Sequence, residues 1–309
     1  MMGAEFVALS LPPLVIGVLA AIACALPGNF LLLRRQALIG DAISHVVLPG
    51  IVVAFLVTGA VAAGAMMLGA AAAAMVSVVM IEAIRRLGRI EPGAAMGVVF
   101  TTMFAGGVLL LEQSDTSNVH LDVEHALYGN LESLIWLDAV GWSSMIDPQA
   151  LAGLPIELPR MAVTLVVIAL FILLFWRPLK LATFDEGFAR TLGMRTGLLG
   201  MALIILAALA AEAAFDAVGS IIVIAMFICP CAAARLVTNR LESQVGWSVL
   251  FAAISAVLGY ILAGYGPLWI GATDAVSAAG MIATVSGVIL VLTALFGPHR
   301  RRSGAPSGI

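Results

Sequence analysis

The sequence predicts an all-α protein that crosses a membrane many times, and three observations predict it. Of its 309 residues, 62% are hydrophobic and only 11% charged, and the mean hydropathy is +1.12. A soluble domain is nearer to about 45–50% apolar and about 25% charged, so this surplus exceeds what a soluble core can use. The apolar residues fall in runs of spanning length, about 17 to 25 residues each. The basic residues stand in clusters between alternate runs. The 31 glycines and the many alanines suit membrane helices, where small residues let backbones approach. The net charge of −3 says less than where the charges sit, and no nucleic-acid partner is expected.

Taken in order, the runs are 12–33, 37–58, 61–84, 94–111, 160–177, 196–214, 217–237, 245–264 and 276–297. The first starts beside Pro12 and Pro13, and the seventh contains Pro230. Eight spans with one re-entrant or surface helix therefore compete with nine, since broken helices are tolerated where protein buries them. The N-terminus, MMGAEFVALSLPPL, has neither a basic n-region nor a small-residue cleavage pattern, so the first run is read as a transmembrane helix.

Arg34 and Arg35 follow the first run, and Arg85, Arg86 and Arg89 follow the third. Arg177, Lys180, Arg190 and Arg195 lie between the fifth and sixth; Arg235 and Arg240 follow the seventh, and Arg300, Arg301 and Arg302 the last. Placing all of them in the cytoplasm gives one consistent path, N-terminus outside and C-terminus inside, which needs an odd number of spans.

No Lys or Arg occurs between Arg89 and Arg160, and the polar loop 112–158 is acidic throughout. The charge rule makes it extracytoplasmic. From His125 to Trp142 it mixes leucines with polar residues, which predicts a helix lying in the interface with Trp136 and Trp142 at headgroup level. On the other side, the segment 178–195, PLKLATFDEGFARTLGMR, repeats Phe184, Phe188 and Leu192 at i, i+4 and i+8. One short amphipathic helix is expected there, with Asp185 and Glu186 in its first turn and Gly193 at its end. It is either a lipid-facing connector or a knob that docks into a partner's groove. Residues 1–297 are read as one transmembrane domain and 298–309 as a disordered cytoplasmic tail whose arginines sit near anionic lipid.

The second run carries a carboxylate and an imidazole, Asp41 and His45, which a helix places on one face about a turn apart. Ionisable residues inside a span usually face a bundle interior, a cavity or an ion path. One reading is a structural Asp–His hydrogen bond. The other is a cation site, because carboxylate oxygen with neutral imidazole suits manganese, iron or zinc. Two ligands are too few alone, but a two-fold dimer would supply two carboxylates and two imidazoles. In the outer loop His120, Asp122, Glu124 and His125 form an HxDxEH cluster. It is either a metal-intake or docking site for a delivering protein, or a set of polar residues capping a surface helix. Cys24, Cys229 and Cys231 all lie in apolar runs and read as small packing residues rather than soft ligands or disulfides. Glu212, Asp216 and Asp274 are gate residues or merely interfacial. No HExxH, GxSxG or GxxxxGK[ST] pattern is present, so the chain is no ATP motor by itself.

Four stretches carry a resemblance to a known family: LLLRRQALIGDAISHVVLPGIVVAFL, VHLDVEHALYGNL, FDEGFARTLGM and VGSIIVIAMFICPCAAARLVTNRL. In this order, and over nearly the whole chain, they resemble the membrane permease subunit of ABC-3 importers for manganese, zinc and iron. The resemblance implies a type II ABC importer bundle, generally of eight spans, with two permeases, identical or paralogous, around a central pathway. It also implies a pair of ATPase subunits beneath, where ATP is hydrolysed, and an extracytoplasmic metal-binding protein above, in a bacterial cytoplasmic membrane. The family's intramembrane DxxxH falls on Asp41 and His45, and its coupling helix on the segment around Phe184, Asp185, Glu186, Phe188, Ala189, Leu192 and Gly193. The GDAISHxVLPG form resembles the manganese and iron branch more than the zinc branch. Where family members tend to carry Thr-Pro-Ala, this chain has Cys229-Pro230-Cys231. The implied function is metal transport with no resident cofactor and no enzymatic activity of the chain's own. A gradient-driven secondary carrier or channel is the alternative, though no paired broken helices in two repeated halves are evident. A catalytic zinc site would need a third ligand beside Asp41 and His45.

Overall fold

The computed structural model describes residues 2–36, 39–59, 63–113, 131–269, 271 and 276–298, and among these there is helix and turn but no strand. A helix stands in each of the nine apolar runs: α1 (Leu11–Leu33), α2 (Ile39–Thr58), α3 (Ala63–Gly88), α4 (Pro92–Gln113), α5 (Glu157–Leu174), and then, beyond two short helices, α8 (Thr196–Val218), α9 (Ser220–Val237), α10 (Leu241–Trp269) and α11 (Ala278–Phe296). The two short helices are α6 (Trp176–Phe184) and α7 (Glu186–Thr191). Eight of the nine are long and apolar enough to cross a bilayer; in α2 the described apolar stretch is Pro49–Thr58. The membrane architecture expected from composition is therefore the one observed.

The centre of the bundle is α1, in contact with α5, α8, α9 and α10. Its sequence explains the position. Ala20, Ala21, Cys24, Ala25 and Gly28 are all buried, and their small size lets neighbouring backbones close in. At Gly28 a methyl group would meet the Phe227 carbonyl oxygen of α9 at 2.5 Å. In a membrane, where lipid is as apolar as leucine, such close packing and interhelical hydrogen bonds hold helices together. The hydrogen bonds are here too. Asn29 Nδ2 donates to Ser248 Oγ at 2.6 Å, and Gln244 Nε2 donates to Asn29 Oδ1 at 3.2 Å, all three side chains being buried between α1 and α10. Cys231 Sγ donates to the Ala25 carbonyl at 3.2 Å, and Cys24 and Cys231 are buried as packing residues should be, whereas Cys229 is only half-buried.

A second unit gathers α2 with α3 and α4. Gly50 and Gly69 face each other so closely that a methyl on either would strike the other's carbonyl oxygen. Gly107 of α4 lies against Pro49 in the same way. The helix that carries Asp41 and His45 is thus clamped one turn beyond them.

The two ends of the bundle differ. Beside the start of α1, residues 131–156 fold into a compact cap of short turns, with 3-10 helix at Leu131–Ser133 and Trp142–Met145 and an α-turn at Pro148–Ala152. This corrects the expected interfacial helix over its described part. Trp136 is not at headgroup level but buried at 2% exposure, its indole N–H donating to the Ala150 carbonyl at 2.7 Å and its ring lying with Val7. An indole that finds a carbonyl partner inside the protein has no reason to seek the interface. Trp142, 57% exposed, does remain on the surface beside Phe6. At the other end the basic segments converge, as the charge pattern leads one to expect.

Candidate functional site

The joint between α1 and α2 is a tight helix terminus. Gln36 N donates to Leu31 O at 2.8 Å and Arg35 N to Leu32 O at 3.1 Å, the paired bonds of a Schellman motif. Arg35 occupies the left-handed position, with φ of 58°, where glycine is the usual residue. Three residues beyond Gln36, α2 begins at Ile39. Its backbone is helical through Asp41 and His45, which fall one turn apart on the same side of the helix. Their side chains lie outside the described part of the structure, as do residues His120, Asp122, Glu124 and His125 entirely. Among the described residues no three His, Cys, Asp or Glu side chains are gathered as a metal site.

The expected single amphipathic helix at 184–192 is two helices. The chain breaks at Asp185, whose φ of −145° and ψ of 87° end α6 at Phe184. The break is stabilised locally, because Asp185 Oδ1 accepts the backbone N–H of Phe188 at 2.8 Å and so caps α7. Asp185 is thus an N-cap rather than a first-turn residue. Gly193 does end α7, with φ of 77°, its N–H bonded to Arg190 O and that of Met194 to Ala189 O. Across the break the apolar side chains still share a surface: Phe184, Phe188 and Leu192 are 55%, 51% and 56% exposed, while Ala189 is fully buried beneath them. An apolar knob surrounded by charged groups is a surface that suits a partner.

This knob is bonded to the bundle at Glu186. The carboxylate Oε1 accepts Arg190 Nη2 at 2.6 Å and the Thr196 hydroxyl at 3.2 Å, and Arg190 Nε donates to Thr196 Oγ1 at 3.1 Å. Burial alone would push the Glu186 carboxyl up. The bond and charge of Arg190, the Thr196 hydroxyl and the charge of Arg34 outweigh it and hold the group below its ordinary range. Thr196 opens α8, so the knob is tied to a bundle helix through the Glu186 carboxylate and the Arg190 guanidinium together.

Behind the knob lies a cavity of about 860 Å³ lined by Arg34, Glu82, Arg85, Glu186, Arg190 and Arg195 together with Gln36, Thr183, Thr196 and Gly200. The ends of α1, α3 and α6 and the start of α8 meet around it. Glu82 is paired with Arg85 at 2.9 Å. On the far side of α6, Lys180 pairs with Glu242 at the start of α10. Sequence reading treated Arg34 and Arg195 only as topology markers and passed over Thr183 and Thr196. The signal for Arg34 was present in its place between an apolar run and the Asp–His helix.

The comparisons with known proteins bear on this architecture as a whole. The family model described as "ABC 3 transport family" matches residues 8–146 and 149–297. The "Manganese transport system membrane protein MntD" of Bacillus subtilis (strain 168) is 38% identical over 282 residues, covering 91% of this chain and 90% of that protein. The "Zinc transport system membrane protein TroD" of Treponema pallidum (strain Nichols) is 34% identical over 283 residues, 92% of this chain and 72% of that protein. Among solved structures, "PsaBC from Streptococcus pneumoniae in complex with Fab" superimposes with a TM-score of 0.70 at 26% identity, covering 94% of this chain and 92% of that one. With both the family model and these relatives spanning nearly the whole of this helical bundle, the chain belongs to the ABC-3 transport family as a membrane permease subunit.

Proposed function

We propose that the chain is the membrane pathway of an ATP-driven importer for divalent transition-metal ions, with manganese as the first candidate substrate and iron and zinc behind it. The observation that carries this reading is the similarity, over nine-tenths of both chains, to a protein named for manganese transport. The helical backbone through Asp41 and His45 supports a metal site on α2, since it sets both residues on one side of a helix clamped between glycine contacts. Two permease chains, identical or paralogous, would bring two such pairs together. Two carboxylates and two imidazoles can hold a borderline divalent ion and still release it, and the imidazoles must be neutral to bind.

In this reading the basic end faces the cytoplasm of a bacterium, and residues 1–297 act as one transmembrane domain with 298–309 as its tail. The pair of ATPase subunits grips the knob of Phe184, Phe188 and Leu192, whose shape Asp185, Glu186, Ala189 and Gly193 maintain. An extracytoplasmic binding protein delivers metal at the capped end, where the His120, Asp122, Glu124 and His125 cluster receives it. The ATP is used on the partner, and the chain keeps no resident cofactor.

The test is radioactive manganese uptake into proteoliposomes holding the chain with its ATPase partner, with zinc and iron as competitors. Asp41→Ala and His45→Ala are each expected to lower ATP-dependent uptake to background while the complex still assembles. Undiminished uptake in both variants would sink the site. Uptake by the chain alone, indifferent to ATP, would replace the whole reading with a gradient-driven carrier.

A further inference from the structure

We propose that Arg34 is a positioning residue that carries movement of the α7 knob into the start of α2, by taking Glu186 from Arg190 and Thr196 onto its own guanidinium. The inference rests on the transport reading above.

Arg34 closes α1 and stands seven residues ahead of Asp41. Its guanidinium reaches three other elements. Nε donates to Thr183 Oγ1 of α6 at 3.2 Å. Nη1 lies against Gly200 of α8, where an added methyl would come within 3.2 Å of it. Nη2 is buried with no hydrogen-bond partner among the described residues. A charged donor left unpaired away from water is costly, so a state that supplies its acceptor is favoured. Two described carboxylates line the cavity with Arg34; Glu82 is paired with Arg85, and Glu186 is the one whose charge acts on Arg34. Its charge partly offsets the burial that lowers the Arg34 pKa, yet its oxygen is engaged by Arg190 and Thr196 instead. The carboxylate is thus bonded to one guanidinium on the knob while a second, at the end of α1, acts on it through its charge alone.

The surroundings make an exchange mechanically useful. The cavity that Arg34 and Arg190 both line leaves room for the knob to move. Phe30 of α1 stacks edge-on against Trp176 of α6 at 5.9 Å, which packs α6 against the end of α1. The Schellman turn holds Arg34 at the very end of α1, five residues before α2 begins at Ile39, so a displacement of Arg34 acts close to that start. A planar fork that bridges two acceptors is what arginine offers and lysine does not.

The experiment uses the chain in complex with its ATPase subunits in proteoliposomes and reads manganese uptake and ATP hydrolysis in parallel. Arg34→Gln is expected to keep ATP hydrolysis but to move at least about fivefold fewer ions per ATP, the scale of a typical coupling free energy. Arg34→Lys should recover part of the ratio. The double variant Arg34→Gln with Glu186→Gln should be no worse than the poorer single one. An unchanged ratio in Arg34→Gln, or an additive loss in the double variant, overturns the proposal. Should the glutamine variant fail to assemble, spin labels at Arg35 and at the exposed Thr191, outside the docking side chains, give a second reading in the complex with Arg34 intact. Their separation should change on adding ATP, and a nucleotide-independent separation is equally fatal. If wild-type uptake ignores ATP or survives loss of Asp41 and His45, the transport reading has failed; if wild type behaves and Arg34→Gln matches it, only this inference has.

Discussion

The two ends of this permease are built by different physics. The capped end is held by side-chain burial: Trp136, Val7 and Ala150 form their own small core, and the cap is stitched on by backbone bonds such as Trp136 N to Ala8 O at 2.8 Å. Glu132 adds a tie, accepting the N–H of Ala278 at the start of α11 at 2.6 Å. The basic end has a large polar cavity beside its packed residues, and polar bonds among Arg34, Thr183, Glu186, Arg190 and Thr196 join the pieces around it. Close-packed groups cannot shift without opening voids, whereas a carboxylate can trade one donor for another. An end made of exchangeable bonds suits the side where the motor is proposed to push, and a packed cap suits a fixed rim.

Three substitutions test that contrast, beginning with the one expected to do most. Trp136→Ala should cost about 3–5 kcal/mol, the usual loss for a buried aromatic ring. The midpoint of thermal unfolding of the purified chain in detergent reads it, and a change within error would mean that the cap is not a packed core. Asp185→Ala removes the α7 cap and should cost about 1 kcal/mol. That loss should be local, appearing as faster hydrogen exchange in the amides of 186–191 while exchange in α1 and α9 stays unchanged. Arg35→Gly relieves a left-handed arginine and should raise stability by about 0.5–1 kcal/mol, less than the strain itself because glycine also frees the unfolded chain. A lower unfolding midpoint in that variant would show that the Arg35 side chain does more than tolerate its turn.

Much of the molecule was legible from local signals. Each apolar run is a helix because hydrocarbon length and hydropathy are properties of consecutive residues. Arg34, Arg85, Arg190 and Arg195 converge at one end because the rule they obey is set by the membrane and not by the fold. The knob was visible in the spacing of Phe184, Phe188 and Leu192, and its stop at Gly193 in a glycine free to take φ of 77°. Its break was not, because alternating apolar residues look the same whether one helix or two carries them, and only the capping bond from Asp185 distinguishes the cases. Trp136 misled for a similar reason. A tryptophan near a membrane boundary usually sits in the interface, and here a carbonyl 14 residues away, together with the N-terminal segment, drew it inward.

The sequence by itself determined the class of protein, the runs that become helices, the sidedness of charge and the pairing of Asp41 with His45 at one-turn spacing. These follow from interactions that act within a few residues or between a segment and its solvent. Only the tertiary structure decided that Arg34 meets Thr183 across 149 residues of chain, that Asn29 meets Gln244 across 215, and that Glu186, bonded to Arg190 and Thr196, also lies within the field of Arg34. Contacts of that kind depend on which helices end side by side, and that is set by the shapes of small residues at Gly28, Gly50 and Gly69 acting together, not by any one stretch read alone.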